Sequence, residues 1–440
     1  MKPSRRSKQI VNLPAITQHL REVVGAPNLS TNTASYVIHG QTPALVVAPG
    51  SAEELARVVA FCNEVKLPLV PWGGGTRQLW GRPLATRQFL VVTTRRMKRV
   101  LIYNPDDLTI SVEAGITLQA LEEQLAAHHR MLPLDAPWPK RSTIGGILAT
   151  AVDGPRRLGY GTARDLLIGI RVVESTGRIT KAGGMVVKNV SDSDMMKLYL
   201  GSLGALAVIV SANFKLLPRP RAASTLTCFF AQPQAAFGLA EALRESSLTP
   251  TAVEYLEGWS PAGPTGGITL LVRTEGLPAE VERHVQDVAA LASQAGALQV
   301  VRYPEPGHSF DWVELCNMAH PKKVVPNEMT VRLSCRPGEL AIALDGLRSL
   351  ATKHGLTLRI NARALSGVAY LHLGGSAEAQ RTWHSAALAA QPQLAVIAAS
   401  PQLAAELPVW GAPPANLALM QRIKHEFDPD QLLNPGRFVV

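Results

Sequence analysis

Leu67-Pro68-Leu69-Val70-Pro71-Trp72-Gly73-Gly74-Gly75-Thr76-Arg77 joins an apolar run to three consecutive glycines. The apolar half predicts a short strand. Beyond it the chain is almost bare backbone, which can bend at positive φ and lets a ligand approach with no Cβ in the way. Successive amides in such a turn form a concave anion site. A loop of this kind after a strand points to a phosphate or diphosphate. Read alone, the three glycines fit a tight turn with no ligand equally well.

Upstream, 43–49 reads as a strand bounded by prolines, and Ser51-Ala52-Glu53-Glu54 is a capping box that opens a helix. Leu55, Val58, Val59 and Cys62 supply its buried stripe at three- and four-residue spacing. The order is therefore strand, helix, strand, glycine loop. Residues 1–38 read as a basic tail with a short helix near 16–24. Downstream, 108–112 predicts a strand, and Thr117 caps a helix carrying Leu118, Leu121 and Leu125. Further strands are expected at 166–173 and 206–217, the second with Leu206, Val208, Val210, Phe214 and Leu216 on one face. Pro218-Arg219-Pro220-Arg221 stops regular structure and marks a boundary. From there to 415 helices (279–295, 339–354) mix with strands (268–272, 329–334, 368–373), and the alanine- and glutamine-rich stretch 378–408 predicts surface helices. The turn-rich close contains Asn434-Pro435-Gly436-Arg437.

A chain of 440 residues predicts more than one core, and 46% apolar with 18% charged residues predicts a folded protein, not a disordered one. The net charge of +10 suits an anionic cofactor, a carboxylate substrate, an acidic partner or a membrane surface, and for most of the lysines and arginines it reads as a solvated basic face. Scattered basic residues, 5% aromatics and no nucleic-acid motif exclude nucleic-acid binding. Cys62, Cys228, Cys316 and Cys335 form no Cys-x-x-Cys pair, which argues against a zinc ribbon or an iron–sulfur cluster held by this chain, and fits a reducing compartment. No secretory apolar region and no run of about 18 apolar residues occurs. The expectation is a cytoplasmic protein, peripheral on a membrane only through a partner.

No Gly-x-Gly-x-x-Gly follows a strand and no Walker loop is present. Instead, Thr143-Ile144-Gly145-Gly146 follows Asp135-Ala136-Pro137, Gly159-Tyr160-Gly161 precedes Arg164-Asp165, and Gly183-Gly184 precedes Val187-Lys188-Asn189. Gly201-Ser202-Leu203-Gly204 leads into the alternating strand. Glycines spaced across so long a region suit an extended ligand that touches backbone at several points.

In these motifs, in this order, the chain resembles the FAD-binding domain of the vanillyl-alcohol oxidase superfamily. Within it the similarity is nearest to the FAD-binding subunits of bacterial glycolate oxidases, which Gly154-Pro155-Arg156-Arg157 and the closing Asn434-Pro435-Gly436-Arg437 also resemble. The resemblance implies an α+β fold with a two-subdomain, p-cresol methylhydroxylase (PCMH)-type FAD-binding domain at 39–220. It implies an α+β cap domain at 221–415 for substrate, and a C-terminal segment, 416–440, that returns to the FAD domain. It implies that loop residues Trp72, Gly73, Gly74, Gly75, Thr76 and Arg77 hold the diphosphate, with the Thr76 hydroxyl as an added donor. Pro137, Thr143, Ile144, Gly145, Gly146, Gly161, Lys188, Asn189 and Gly204 complete the cofactor set. Val208 and Ile209 line the adenine end or serve as strand core, and Arg164 with Asp165 reads as a buried structural pair. No histidine lies between Trp72 and Trp80 for covalent flavin attachment, so non-covalent FAD is expected.

The chain departs from the related pattern at Ser191-Asp192-Ser193-Asp194, where a glycine and an aromatic are missing. Lost packing and added charge there are expected to weaken flavin binding or shift its potential. For catalysis the expectation is Arg332 as a bidentate carboxylate binder and His372 as proton acceptor, or else both as packed side chains. No second histidine follows His372 at metal-ligand spacing, so no metal is expected. The implied function is an FAD-dependent oxidoreductase subunit oxidising a small 2-hydroxy acid such as glycolate. Its expected partners are a second flavoprotein subunit and an iron–sulfur subunit. The alternatives are a non-catalytic FAD-binding scaffold or electron relay beside a catalytic paralogue, and a stand-alone oxidase of a sugar or alditol.

Overall fold

A computed structural model describes residues 12–185, 195–259, 267–305 and 312–440. The glycine loop leaves the C-terminal end of Leu69–Trp72, the outer strand of a four-stranded sheet in the order Leu29–Ser30, Leu45–Val47, Leu90–Thr93, Leu69–Trp72. The last three strands are parallel, and the crossover between the second and the fourth in this order is the helix Ala52–Glu64. Its N-cap forms as the sequence predicts: Ser51 Oγ accepts from the Glu54 amide at 3.1 Å. The Glu54 carboxylate reaches one residue further back than a capping box requires and accepts from the Gly50 amide at 2.7 Å. Leu55, Val58, Val59 and Cys62 are buried against the sheet.

A second, five-stranded antiparallel sheet runs Val100–Asn104, Thr109–Glu113, Ala207–Lys215, Leu167–Glu174, Ile179–Gly183. Its central strand corrects one expectation. Val208 and Val210 pack toward the Ala52–Glu64 helix, whereas Ala212, Phe214 and Leu216 join the core on the other side. The register shifts between Ile209 and Ser211. One added residue reverses the side-chain alternation downstream of it.

The third sheet has eight antiparallel strands in the order Gln299–Glu305, Ala222–Phe230, Ile268–Gly276, Ala252–Glu257, Thr357–Arg363, Val368–Gly374, Glu328–Ser334, Leu394–Ala398. Helices Pro233–Glu245, Pro278–Gln294, Leu340–Lys353 and Ala377–Ala390 bury one face of it. The alanine-rich stretch is not a run of surface helices. It contains the fully buried Trp383 and the edge strand Leu394–Ala398. Alanine packs closely without bulk, so its low hydrophobicity hides a core role.

The other face of this sheet carries Glu254, Asn361, Arg363, Thr330, Tyr370 and His372, all buried. Polar side chains at alternating buried positions mean that this face is covered by another part of the chain and does not meet water. The cover comes from the segment after the glycine loop and from residues 135–160. The C-terminal segment closes the arrangement. Leu433 bridges Leu69 in parallel, and the Leu69 amide donates to Leu432 O at 2.9 Å. Lys424 Nζ, buried, donates to Ala205 O and to Asp428 at 2.7 and 2.5 Å. Arg437 donates to the carbonyls of Gln78 and Trp80.

Candidate active site

The three glycines are dictated first by the protein's own chain. A Cβ on Gly74 would lie 1.7 Å from the Arg141 carbonyl oxygen, and one on Gly73 would lie 2.1 Å from Thr143 Oγ1. Gly75 has φ +68° and sits against the Trp72 ring. The loop is pressed onto the 141–143 segment, and Arg141 Nη2 donates to Gly74 O at 2.9 Å. What this packing leaves open is the donor side. No amide from Gly73 to Arg77 donates to a protein acceptor among the described residues. Five consecutive amides without a protein acceptor, on half-buried or buried residues, are the kind of donor set that a concave anion site requires.

Arg77 strengthens it. The side chain is 8% exposed, and its two terminal nitrogens donate to Thr76 Oγ1 and Ser142 Oγ at 3.2 and 3.3 Å. No carboxylate pairs with it among the described residues, and Nε has no partner. Burial pushes its pKa down to about 9 against the opposing influence of Tyr370. A diphosphate in the cleft would remove that penalty. Ser142 in turn donates to the carbonyl of Pro137, so the 72–77 and 137–143 segments form one hydrogen-bonded wall.

Thr143 caps the helix Ile144–Thr150, its Oγ1 accepting from the Gly146 amide at 3.3 Å. Ile144 is core, with its amide on Ile116 O, and a Cβ on Gly145 would touch Ala114. Gly145, Gly146, Ala149 and Thr150 line one half-buried face of this helix, a flat strip of small residues where an extended ring can lie. Gly161, φ +79°, caps the helix Arg157–Tyr160, and Gly204, φ +68°, lies against Pro71 of the strand before the loop. Val208 and Ile209 are both buried and point into different cores, and the Val210 carbonyl at the bulge accepts from Ala114. Lys188, Asn189 and the 191–194 stretch lie outside the described residues. The orphaned amides, the uncompensated guanidinium and the small-residue strip fit FAD. Arg164 and Asp165 do not form a buried pair: both are exposed, and Asp165 accepts from the Thr162 amide at 2.8 Å as the acid of a capping box.

The covered face of the eight-stranded sheet supplies the remaining chemistry. Arg332 stands opposite Tyr370 and His372 opposite Thr330, so Arg332 and His372 are diagonal neighbours on one face. Arg332 is half-buried and has no ion-pair partner among the described residues. His372 Nδ1 lies 3.2 Å from both Glu328 Oε1 and Thr330 Oγ1, and its buried Nε2 has no partner. Burial holds its pKa below the usual 6.5, partly offset by the Glu328 hydrogen bond.

Sequence reasoning missed three groups. His320 is 2% exposed with both ring nitrogens unpartnered, and it lies 4.7 Å from the Tyr370 ring and 5.6 Å from Trp80. Burial, then the charges of Arg77, Arg363 and Arg332, keep it neutral. The Trp138 indole donates to its carbonyl at 2.9 Å, which ties this segment to the 137–143 wall. Arg363 pairs with Asp153, which follows the Gly145–Gly146 helix, and Arg157 pairs with the same carboxylate. Burial alone would raise the Asp153 pKa, but these two cations outweigh it and hold it low. Glu254, 1% exposed beside Arg363, is pushed up to about 8 by burial and stays protonated at neutral pH. The signal for Arg363 and Glu254 was a polar residue at a core position of a strand. His320 has no periodic context and left no signal.

Residues 43–183 match the family described as FAD binding domain, and residues 410–438 match FAD linked oxidases, C-terminal domain. Glycolate oxidase subunit GlcD of Bacillus subtilis (strain 168) is 26% identical over 363 residues, 78% of this chain and 77% of that protein. D-lactate dehydrogenase of Archaeoglobus fulgidus is 26% identical over 417 residues, 90% of this chain and 91% of its own. Glycolate oxidase subunit GlcE of Escherichia coli (strain K12) is 37% identical over 162 residues, 37% of this chain and 45% of that one. The solved structure of p-cresol methylhydroxylase with substrate bound superposes with a TM-score of 0.74 at 17% identity, covering 96% of both chains. Alkyldihydroxyacetonephosphate synthase gives 0.72 at 19%, covering 96% of this chain and 84% of that one. At such identities the likeness establishes the fold, which is the α+β p-cresol methylhydroxylase type.

Proposed function

We propose that this chain, an FAD-dependent oxidoreductase carrying the FAD binding domain and C-terminal segment of the FAD linked oxidases, oxidises a 2-hydroxy acid of the glycolate and lactate kind. The observation that carries the reading is Arg332, a guanidinium with no ion-pair partner among the described residues, set diagonally from an imidazole whose Nε2 is free. Diagonal side chains on a sheet start about 7–8 Å apart. A carboxylate with a hydroxyl on the adjacent carbon spans what remains of that gap. Arg332 holds the carboxylate in bidentate fashion. Glu328 takes the Nδ1 proton of His372 as a hydrogen bond, which leaves Nε2 as the base for the substrate hydroxyl. When bound, FAD would supply the two-electron acceptor for oxidation of the 2-hydroxy acid to a 2-oxo acid, and His372 would take the hydroxyl proton. FAD is held without a covalent bond by the 72–77 loop, since no histidine lies between Trp72 and Trp80 in the sequence.

The resemblance to both GlcD and GlcE supports a place in a multi-subunit oxidase; with no Cys-x-x-Cys pair in this chain, its electrons pass to a second flavoprotein and an iron–sulfur subunit. No helix among the described residues is long and apolar enough to cross a membrane.

The test is anaerobic mixing of the purified yellow chain with 2-hydroxy acids. The flavin band should bleach, and acid should release the flavin into solution. If bleaching needs the partner subunits, the chain is the scaffold or relay instead. His372→Gln should lower kcat by about 10²–10⁴-fold with FAD content unchanged. Because His372 must be neutral to accept the proton, kcat/KM should rise with pH through a value below 6.5 and be flat above it. An acid limb above pH 7 would contradict the assignment.

A further inference from the structure

Among the described residues, His320 is the one imidazole with both ring nitrogens buried and unpartnered. Such a ring, when neutral, leaves one donor and one acceptor unmet, and each costs stability. Its placement is not loose packing. Three contacts to Trp138 pin the 317–322 segment to the 137–143 wall. The indole donates to His320 O at 2.9 Å, the Trp138 amide donates to Asn317 Oδ1 at 2.6 Å, and the Lys322 ammonium sits 3.5 Å from the ring centre. The imidazole itself meets Trp80, just past the glycine loop, at 5.6 Å and Tyr370, on the covered face of the eight-stranded sheet, at 4.7 Å. Tyr370 fixes where this is. Arg332 stands directly opposite it in the ladder, and His372 is its same-face neighbour on the strand Val368–Gly374. Opposite side chains start about 4.5–5.5 Å apart, and same-face neighbours on one strand about 7 Å. His320 therefore packs on the residue that stands beside both Arg332 and His372. The charges of Arg77, Arg363 and Arg332 all reach it. An unmet donor amid a surplus of positive charge is an environment for an anion.

We propose that His320 binds the substrate carboxylate together with Arg332, while His372 meets the hydroxyl. The inference rests on the 2-hydroxy-acid reading above and adds the residue that orients the acid. A carboxylate offers about four lone-pair positions. Arg332 takes two of them in bidentate fashion, and the His320 N–H takes a third. One bidentate contact leaves the acid free to swing about the guanidinium. A second contact from another element, with the hydroxyl on His372, holds it in one orientation. The bound carboxylate in turn satisfies the imidazole donor and offsets the surrounding guanidiniums, so the site is complete only with the acid in place.

The experiment compares the full FAD-loaded chain with its His320→Phe variant. Phenylalanine keeps the ring and its packing on Tyr370 and removes both nitrogens. The probe is labelled oxalate, a small carboxylate with no hydrogen on carbon to lose, followed by equilibrium dialysis. Oxalate should bind the wild type, and His320→Phe should weaken it about 10- to 100-fold, the range of one hydrogen bond to a charged group. KM for the 2-hydroxy acid that reduces the flavin should rise by a similar factor, with a smaller loss in kcat, whereas the His372→Gln loss falls on kcat. FAD content should stay at the wild-type level. With no acid present, the denaturant midpoint of His320→Phe should lie above that of the wild type, because two unpaired buried nitrogens are gone. A histidine that only packs would give a lower midpoint with oxalate affinity and KM unchanged, and that result would overturn the inference. Loss of FAD from the variant would also overturn it, by assigning the imidazole to the cofactor. If His320→Phe does not fold, His320→Leu gives the same binding and KM readouts. Flavin that no 2-hydroxy acid reduces, with or without partner subunits, would overturn the 2-hydroxy-acid reading instead. Oxalate binding that depends on His320 in that same chain would still support the imidazole as a carboxylate ligand, so the two failures are told apart.

Discussion

Gly74→Val is expected to give a colourless chain that retains less than about a tenth of the wild-type FAD on gel filtration. The reason is distance. The first side-chain carbon would fall 1.7 Å from the Arg141 carbonyl oxygen, and backbone cannot yield as a flexible side chain can. The loop and the 141–143 segment must separate, which breaks the Arg141 hydrogen bond to Gly74 O and moves the Thr143 cap. Both walls of the cleft are then out of place, and the five amides no longer converge on one anion. In the sequence alone, Gly74 clears a path for the ligand. The structure assigns the glycine a different duty, contact between two protein segments, with the same consequence for FAD. Gly238→Ala is the control. That glycine sits exposed in the helix Pro233–Glu245 with open space around it, so the variant should stay yellow and gain about 0.5–1 kcal/mol. Full FAD content in Gly74→Val, with unchanged circular dichroism, would refute the loop assignment.

Asp153→Ala is expected to destabilise the fold by about 3–5 kcal/mol, read from the denaturant midpoint of the first unfolding transition. Arg363 is 4% exposed on its side chain, and its guanidinium bonds both the carboxylate and the main-chain carbonyl of Asp153. Removing the acid strands a cation between the eight-stranded sheet and the segment after the helix Ile144–Thr150, with Glu254 as the remaining carboxyl beside it, at 4.0 Å. Replacing both partners, Asp153→Leu with Arg363→Met, should recover much of the loss, since the desolvation penalty of both charges disappears. The pH dependence follows from the depressed Asp153 pKa. Its contribution is complete above the ordinary carboxylate range and is lost as pH falls through the lower folded value. A loss under about 1 kcal/mol in Asp153→Ala would show that the pair is screened and structurally idle.

The first half of the chain was largely legible because its signals are local. Ser51 and Thr117 cap helices where the sequence places them, and Leu55, Val58, Val59 and Cys62 form the buried stripe their spacing predicts. The glycine clusters announced themselves because close backbone approach leaves no other residue type possible at Gly73 and Gly74. The bulge after Ile209 escaped notice, since nothing in a run of small apolar residues marks where a strand adds one. The stretch 378–408 conceals its burial for a related reason. Burial of Trp383 depends on what packs above it, which composition does not record.

By itself the amino-acid order determined the glycine loop and the helix caps around it, because turn geometry, helix caps and steric room are set by neighbours a few residues apart. Only the tertiary structure decided which side chains meet around that loop. Arg77, His320, Tyr370 and Arg332 come from separate parts of the chain, and Asp153 finds Arg363 across 210 positions. Contacts of that reach are made by sheets stacking face to face, and the charge a buried group carries is then set by partners that its own segment does not encode.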